Sequence, residues 1–257
     1  MQDMRLQHII AVVKEKSYAS VEELAAQLNV SAMTIRRDLN LLCSQGRLER
    51  CYGGARLPSS IVRETAYSEK LQVHREQKLL IARKALSFIQ SGDSLYLDSG
   101  TTVGALAQLL CESQLDVSVV TNELNIAQLL AQAGLSVTMV GGTVNQATGS
   151  VSGHASEQFL RQFRFSKAFL GASSIDYSFN TFSPNFDKAY LKRLAMELSA
   201  QCYLLADAGK FYSSAMCLIT SLNQYAGVIT DKEFSKAELK QLQEKSVNII
   251  PAADASL

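Results

Sequence analysis

The sequence predicts an α/β main domain with an open, largely parallel sheet, preceded by a small N-terminal α-rich domain of the winged helix-turn-helix type. Two observations lead to this fold class. Apolar residues recur at helical spacing through the first 44 residues and are followed by a short hairpin signal. From residue 94 onwards, strand-like and helix-like segments alternate, which is typical of βαβ units.

Length and composition agree with one large domain or two domains. The chain has 257 residues, of which 47% are apolar and 19% are charged, so it can build a real core and is not expected to be disordered. Its net charge is only +1, which excludes a generally basic protein. Any binding of nucleic acid must therefore come from a local patch of positive charge.

The cysteines and histidines give no sign of a metal site. The five cysteines are scattered, odd in number and never spaced as C-x-x-C, and the three histidines are isolated. This usage argues against a disulfide framework and suits a reducing cytoplasm. The chain begins MQDMRLQ, without an apolar signal core, and the uncharged stretch Leu124–Ser156 is interrupted by Asn, Gln and Gly. We expect a cytoplasmic protein with no cofactor, no metal and no membrane contact.

The N-terminal segment predicts three helices. Met4–Lys16 has an apolar stripe, and Val21–Leu42 reads as two short helices joined by a tight turn. Ser20 begins a capping box with Glu23, after the break at Ser17-Tyr18. Asn29 suits the left-handed corner of the turn, since Asn tolerates positive φ.

The third helix runs from a cap at Ser31 towards Ser44, and Gly46 ends it. Ile35, Leu39 and Leu42 form one stripe that should be buried. The opposite face therefore carries hydroxyl, amide and guanidinium groups, which are the groups that bind base edges and phosphates in a major groove. A solvated charged face of an ordinary amphipathic helix is the alternative interpretation.

A basic hairpin follows in Leu48–Leu57, where Gly53-Gly54 is the turn signal and Arg50 and Arg56 flank it. The range 31–57 holds five Arg against one Asp and one Glu, a net charge of +3. A helix-turn-helix followed by such a hairpin predicts a wing that lies against the DNA backbone. The candidate DNA contacts are Ser31, Met33, Thr34, Arg36, Arg37, Asn40, Arg50 and Arg56.

We predict three regions: a DNA-binding domain at 1–57, a linker at 58–75 that opens with Pro58-Ser59-Ser60, and an α/β domain at 76–257. In the α/β domain the predicted helices are Glu76–Ile89, Thr102–Leu110, Leu124–Ala131, Ser156–Phe163, Lys188–Ala200 and Phe234–Gln243. The predicted strands are Ser94–Asp98, Val117–Thr121, Ser136–Val140, Lys167–Ala172, Cys202–Ala206, Met216–Thr220, Gly227–Thr230 and Ser246–Ile250. A loop spans 141–153.

Polar residues follow the predicted strands at their carboxyl ends, where open parallel sheets bind ligands. Asp98, Ser99, Gly100, Thr101 and Thr102 come directly after the first of these strands and open a helix. Free N–H groups and three hydroxyls at a helix start favour an anion, most naturally a phosphate. Further polar residues follow the later strands: Thr121, Asn122, Gly141, Gly142, Thr143, Asp207 and Lys210. Neither G-x-G-x-x-G nor G-K-[ST] occurs, so a dinucleotide or nucleoside triphosphate is not expected.

At these residues the chain resembles a known family. The stretches MTIRRDLNLL and GRLERCYGGA are similar to the N-terminal signature of the DeoR family of bacterial transcriptional regulators, and the pieces DSGTT (98–102), TN (121–122), GGT (141–143), NFDKAYLKR (185–193) and LLADAGKF (204–211) are similar to its sensor domain. The resemblance implies a sensor domain similar in fold to ribose-5-phosphate isomerase and glucosamine-6-phosphate deaminase, which senses phosphorylated sugars. It implies that Asp98–Thr102 cradles the phosphate. It also places six residues around the sugar: Thr121, Asn122, Gly141, Gly142, Lys192 and Lys210.

One position departs from the family pattern. The segment usually reads close to N-x-E-E-A-x-V-K-R, and here Lys188 stands where an acid is usual. Either this lysine lies on the surface, or it changes the polar lining of the ligand site.

The resemblance leaves an enzyme as the alternative, because sugar-phosphate isomerases need a base to move a proton. In a stretch comparable to D-G-A-D-E-I-D, Leu170 and Ser173 stand where carboxylates would be, and neither can act as that base. Asp98, Asp176 and Asp207 remain as acceptors for sugar hydroxyls. A DNA-binding scaffold without a ligand is a third interpretation.

The family resemblance predicts a repressor of sugar-metabolism genes that leaves operator DNA when it binds a phosphorylated sugar. One helix reads too few base pairs for genomic specificity, so a homodimer or homotetramer is expected. The segment Pro58–Arg75 is the predicted hinge between the two domains.

Overall fold

The computed structural model describes residues 2–16, 18–45, 47–51, 53–56, 61–62 and 64–253. The backbone divides into two compact units, Met1–Ile61 and Val62–Leu257, which we call the winged unit and the sheet unit. The predicted linker residues Pro58, Ser59 and Ser60, and the predicted helix end Gly46, lie outside the described residues.

The winged unit contains helices α1 to α3 and a small sheet of strands β1 to β3. In chain order these elements are α1 (Gln2–Lys16), β1 (Tyr18–Ser20), α2 (Val21–Leu28), α3 (Ala32–Ser44), β2 (Glu49–Cys51) and β3 (Gly54–Arg56). A two-residue strand, β4 (Ile61–Val62), follows at the boundary of the two units.

The predicted caps at Ser20 and Ser31 and the predicted corner at Asn29 are confirmed. The Ser20 hydroxyl accepts from Glu23 N and the Glu23 carboxylate accepts from Ser20 N, which completes the capping box. Asn29 adopts φ 50°, the left-handed corner between α2 and α3. The Ser31 side chain accepts from Thr34 N at 3.2 Å and caps α3. Local sequence signals therefore set the helix-turn-helix geometry.

The predicted apolar stripe of α3 is also confirmed, because Ile35, Leu39 and Leu42 are fully buried. They pack in one core with Ile9 of α1 and Leu24 of α2. This packing turns the opposite face of α3 outwards, as its period requires.

The wing is a three-stranded sheet in the order β1-β3-β2. Its hairpin pairs Cys51 with Gly54, so the turn lies between them and includes Gly53 at φ 73°. Gly54 is therefore a strand residue rather than part of the turn. A Cβ at Gly54 would lie 2.2 Å from the carbonyl oxygen of Ala19, so close pairing with β1 requires glycine here.

The helices of the sheet unit are α4 (Tyr67–Gln72), α5 (Arg75–Leu86), α6 (Thr101–Glu112), α7 (Leu124–Gln132), α8 (His154–Leu160), α9 (Phe186–Glu197) and α10 (Lys236–Glu244). Its strands are β5 (Ser94–Leu97), β6 (Ser118–Thr121), β7 (Ser136–Met139), β8 (Thr143–Val144), β9 (Val151–Ser152), β10 (Phe165–Gly171), β11 (Ser174–Ile175), β12 (Asn180–Ser183), β13 (Ser199–Leu205), β14 (Ser214–Ala215), β15 (Cys217–Ser221), β16 (Gly227–Thr230) and β17 (Ile249–Pro251).

The main sheet has seven parallel strands in the order β17-β16-β13-β10-β5-β6-β7. Side chains alternate across it. Leu95 and Leu97 pack in a core with α5, α6 and α7, whereas Tyr96 packs in a second core with α8, α9 and α10. The sheet unit is therefore a three-layer α/β/α structure, which confirms the predicted fold class.

Two expectations about the strands are corrected. The predicted strand at Met216–Thr220 does not join the parallel sheet; it forms β15, which pairs antiparallel with β12 in a separate three-stranded sheet with β11. The predicted loop at 141–153 contains the hairpin β8–β9. Both cases involve short strands whose partners lie outside the βαβ pattern. Among the described residues, no helix is long and apolar enough to cross a membrane.

Candidate functional site

The exposed face of α3 carries the predicted DNA-contact groups. Arg36, Arg37 and Asn40 are exposed, and Met33 is 68% exposed. The Ser31 and Thr34 hydroxyls lie 2.9 Å apart and bond to each other at the start of the helix.

The two arginines of the wing differ in their surroundings. Arg50, on β2, is exposed. Arg56, on β3, is half-buried and its guanidinium binds the Glu49 carboxylate across the hairpin, with Nε 2.7 Å from Oε2. Arg56 therefore carries an ion-pair partner inside the wing, and Arg50 is the more accessible positive charge.

A cavity of about 340 Å³ lies in the sheet unit at the carboxyl ends of β5, β10 and β13. These three strands are adjacent, and β5 and β10 mark the point where the strand order reverses direction along the chain. Open parallel sheets bind ligands at such a reversal, because the loops there diverge and leave a crevice.

Seven of the predicted ligand residues line this cavity. They are Ser99, Gly100, Thr101, Thr102, Lys192, Asp207 and Lys210. Ser99–Thr102 form the start of α6, where backbone N–H groups have no partner within the helix. The cavity wall thus offers N–H donors, hydroxyls and ammonium groups.

Asp98 does not line the cavity but organises it. Its side chain is almost fully buried, and its Oδ2 accepts from Gly171 N at 2.9 Å. The same oxygen accepts from the Lys192 ammonium, so the carboxylate joins β5, β10 and α9. This buried ion pair fixes Lys192 beside the start of α6.

The structure does not bring the remaining predicted residues to the cavity wall. Thr121 is buried and donates to Leu97 O at 2.7 Å, and Asn122 donates to Val151 O at 3.0 Å. Gly141 and Gly142 are exposed beyond β7. The Asp176 carboxylate accepts from Ser178 N and Asn180 N within its own turn. Thr121 and Asn122 support neighbouring loops, because β6 and β7 lie on the far side of β5.

Lys188 is buried, with 7% exposure, and it lines the cavity, so a surface position is excluded. Its ammonium donates to Glu64 Oε2 at 3.0 Å and to Thr148 Oγ1 at 2.9 Å. The other oxygen of Glu64 accepts from Lys70 at 3.2 Å. Burial opposes ionisation, but the two lysines hold the pKa of Glu64 below its usual value. Burial lowers the pKa of Lys188, and Glu64 opposes this shift.

Two further lysines belong to the same cavity. Lys78 is buried and its ammonium donates to the backbone carbonyl of Lys70. Burial lowers the pKa of Lys78 and of Lys210, and in both cases the Asp207 carboxylate opposes the shift. Buried ammonium groups gain by binding an anion, because a nearby negative charge opposes the effect of burial on their ionisation.

Sequence reasoning missed the part of the cavity that comes from residues 64–78. The sequence predicts a linker over most of this segment, yet Glu64, Glu69, Lys70, His74 and Lys78 line the cavity. The signal in the sequence was the charge of the segment, which has no clear apolar period. Among the described residues, no group of three or more His, Cys, Asp or Glu side chains is arranged to hold a metal ion.

Family comparisons cover both units. The model of the DeoR-like helix-turn-helix domain matches residues 5–61, and the model of the DeoR C terminal sensor domain matches residues 73–232. The second match alone spans more than half of the chain. The cavity described above lies largely within it.

Two relatives are similar over nearly their whole length. The glycerol-3-phosphate regulon repressor of Escherichia coli K12 is 36% identical over 231 residues, which cover 90% of this chain and 91% of that protein. The repressor of the same name from Haemophilus influenzae is 34% identical and covers 97% of this chain and 96% of its own. Both of these relatives are named as repressors.

Ribose 5 phosphate isomerase A from Neisseria gonorrhoeae is a more distant structural neighbour. It is 16% identical, with a TM-score of 0.40 over 53% of each chain, a likeness too low to bear on activity. The interpretation of this chain as an isomerase-like enzyme is set aside, because both family matches and the named relatives are regulators. The chain belongs to the DeoR family of DNA-binding transcriptional regulators, with a winged helix-turn-helix and a C-terminal sensor domain.

Proposed function

We propose that the protein represses genes of sugar metabolism and leaves its operator when a phosphorylated sugar binds in the cavity at the ends of β5, β10 and β13. The relatives named as repressors of a glycerol-3-phosphate regulon support a small phosphate ester as the effector class. A repressor of this kind acts in the cytoplasm, where the chromosome lies.

One observation carries the proposal for the effector site. The Lys192 ammonium is held by buried Asp98 next to the open N-terminus of α6, whose first residues are Thr101 and Thr102. A helix N-terminus, two hydroxyls and a fixed ammonium are the groups that bind a phosphate dianion. We assign Ser99–Thr102 and Lys192 to the phosphate, and Lys210 to the neighbouring sugar.

On the DNA side, we assign Arg36 and Arg37 to base edges or phosphates and Asn40 to a base edge. Neither guanidinium has an ion-pair partner among the residues that the structure describes, so neither must break a bond in order to bind. Ser31, Met33 and Thr34 are assigned to the groove edge and backbone. Arg50 is assigned to the backbone contact of the wing, with Arg56 contributing beside Glu49.

One copy of α3 covers only part of a groove turn, so we propose that a homodimer or homotetramer binds repeated half-sites.

We also propose that the segment Pro58–Arg75 couples the two units, since it joins the wing to residues of the cavity wall. Locking that segment with an engineered crosslink should abolish effector-driven release. Release that persists in the crosslinked protein would place the coupling elsewhere.

The first experiment measures fluorescence anisotropy of the full chain on DNA from directly upstream of its own gene, at fixed salt, because phosphate contacts make affinity salt-dependent. Glycerol 3-phosphate, glucose 6-phosphate and fructose 6-phosphate are then added, each beside its unphosphorylated counterpart. We expect release by a phosphate ester and not by the free compound. Tight binding without any response would contradict the effector assignment and favour a scaffold without a ligand.

The same assay tests the DNA surface. Arg36→Ala should weaken operator binding by about 1–3 kcal/mol if the guanidinium makes a bidentate hydrogen bond to a base. Arg83→Ala is the matched control, because it removes an exposed arginine from the sheet unit. Equal affinities of the two variants would remove Arg36 from the assignment.

A further inference from the structure

The cavity contains an internal carboxylate that already occupies two of its lysines. Glu64 places one oxygen 3.0 Å from Lys188 and the other 3.2 Å from Lys70, so each ammonium holds one oxygen. Lys188 lies in the first turn of α9, and Lys70 lies on α4. Together these two side chains form a carboxylate-binding pair, here occupied by a residue of the chain itself.

This pair is separate from the groups assigned to the phosphate. Lys192 is bound by Asp98 beside the start of α6, and Lys188 is bound by Glu64 and Thr148. Lys188 and Lys192 are four positions apart on α9, so these two side chains lie one helical turn apart on the same face. A short carbon chain can therefore reach from one ammonium group to the other.

The number of lysines exceeds what one phosphate needs. Five lysines line the cavity: Lys70, Lys78, Lys188, Lys192 and Lys210. One phosphate group carries about two negative charges at neutral pH and is satisfied by the start of α6 and one or two cations. The lysines around Glu64 then remain for a different anionic group.

We propose that Lys188 and Lys70 select effectors that carry a second anionic group, a carboxylate or a second phosphate, and that this group replaces Glu64. The inference rests on the proposed function, since it assumes that a phosphate ester binds in the same cavity. The ligand class is thus a phosphorylated sugar acid or a sugar bisphosphate rather than a monophosphate whose sugar carries no other charge.

Replacing the Glu64 carboxylate by a ligand anion should cost little electrostatic free energy. The Lys188 ammonium is buried, and it stays paired throughout if a ligand anion replaces Glu64. The Glu64 side chain is 24% exposed and lies in the segment 64–66, which has neither helix nor strand, so the freed carboxylate can return to water. Removing Lys188 from its partner without a replacement would leave a buried charge unpaired.

The test is isothermal titration calorimetry of the full chain at fixed ionic strength with three matched ligand pairs. Glycerol 3-phosphate is compared with 3-phosphoglycerate, glucose 6-phosphate with 6-phosphogluconate, and fructose 6-phosphate with fructose 1,6-bisphosphate. We expect the member with the second anion to bind about tenfold more tightly or better in at least one pair, the order expected for one charge-assisted hydrogen bond. The pair that shows the preference distinguishes a carboxylate from a second phosphate.

Two variants, with one control, test whether Lys188 and its partner Glu64 set the preference. Lys188→Gln should remove most of the preference while leaving binding of the monophosphate within about threefold, because only the second anion contacts this side chain. Glu64→Gln should strengthen binding of the ligand with the second anion, because the competing carboxylate is gone. Lys240→Gln, which removes an exposed lysine from α10, is the matched control and should leave the preference unchanged.

The outcomes separate this inference from the proposed function. If both members of every pair bind equally well, or if Glu64→Gln weakens the ligand with the second anion, the inference is wrong and the phosphate-sensing function stands. If no phosphate ester binds the wild-type protein at millimolar concentration, the proposed function and this inference both fail. If Lys188→Gln does not fold, the wild-type preference and the Glu64→Gln result decide.

Discussion

At the scale of single residues, Asp38 is a buried polar side chain that supports the predicted DNA-binding surface without belonging to it. It lies on α3 between the exposed arginines and the apolar stripe, yet it is only 1% exposed. Its carboxylate accepts from Arg5 Nε at 2.5 Å and from Arg5 Nη2 at 3.2 Å. This bidentate ion pair holds α3 against α1 and so fixes the orientation of the helix face that carries Arg36 and Arg37.

We expect Asp38→Ala to destabilise the winged unit by about 1–3 kcal/mol, because the guanidinium of Arg5 loses its partner in a partly buried place. Unfolding in guanidinium chloride, followed by circular dichroism, measures the change in the free energy of unfolding. Lys16→Met is the matched control: it breaks the ion pair with Glu23, which is exposed to water on both sides and should therefore contribute little to stability. Equal losses in the two variants would contradict a structural role for the Asp38 bond.

Residue patterns predicted the buried apolar side chains of α3 but not its buried acid. Ile35, Leu39 and Leu42 share a helical period, and a period can be read from neighbouring positions alone. The partner of Asp38 lies 33 positions away, so nothing near Asp38 in the sequence indicates burial. The same holds for Lys188, whose partner Glu64 is 124 positions away.

At the scale of elements, the wing depends on the close approach of β3 to β1. Tyr18 to Ser20 pair with Arg56 to Gly54 in antiparallel register. The space beside Gly54 is filled by the backbone of Ala19, which cannot move aside as a flexible side chain would. The strand pairing therefore allows no side chain at position 54.

Gly54→Ala should destabilise the winged unit by about 2 kcal/mol or more, because the added methyl group overlaps backbone atoms. Hydrogen exchange of the amides in β1 and β3 should speed up accordingly. Gly53→Asn is the control, since Asn tolerates the positive φ and a Cβ there is 3.8 Å from its nearest neighbour, the Tyr18 hydroxyl. Unchanged exchange in Gly54→Ala would show that the hairpin can shift to accept the methyl group.

Elements with strong local signals were predictable, and short paired strands were not. Each helix of the winged unit has a period or a cap in its own sequence, and the structure confirms them. Strands β1, β8, β9 and β11 contain only two or three residues each, too few to show a period of two. They exist because of partners elsewhere in the chain, as when β1 pairs with β3 almost 40 positions later.

At the scale of the whole molecule, the strand order decides which loops meet. The sequence predicts that polar residues after each strand gather at one edge of the sheet, but it does not give the order of the strands. In the structure β5 lies between β10 and β6, so the cavity forms on the β10 side. Asn122, directly after β6, and Gly141, after β7, therefore do not line it.

The proposed release from DNA has a thermodynamic counterpart that checks it independently. If the effector weakens operator binding by some factor, operator DNA must weaken effector binding by the same factor. Calorimetric titration of the released effector into protein alone and into the protein–DNA complex should give that equality. Unequal factors at equilibrium would indicate that the effector acts on a species other than the one bound to DNA.

The ion pair between Asp98 and Lys192 also has a consequence for the order in which the protein is made. The winged unit has its own core and ends by residue 61, so a ribosome completes it early. The carboxylate of Asp98 meets its partners only after Gly171 and Lys192 have emerged, 73 and 94 positions later. A chain that ends between residue 61 and Lys192 contains the DNA-contact helix but lacks a complete sensing cavity. Only chains that extend past Lys192 can therefore respond to an effector.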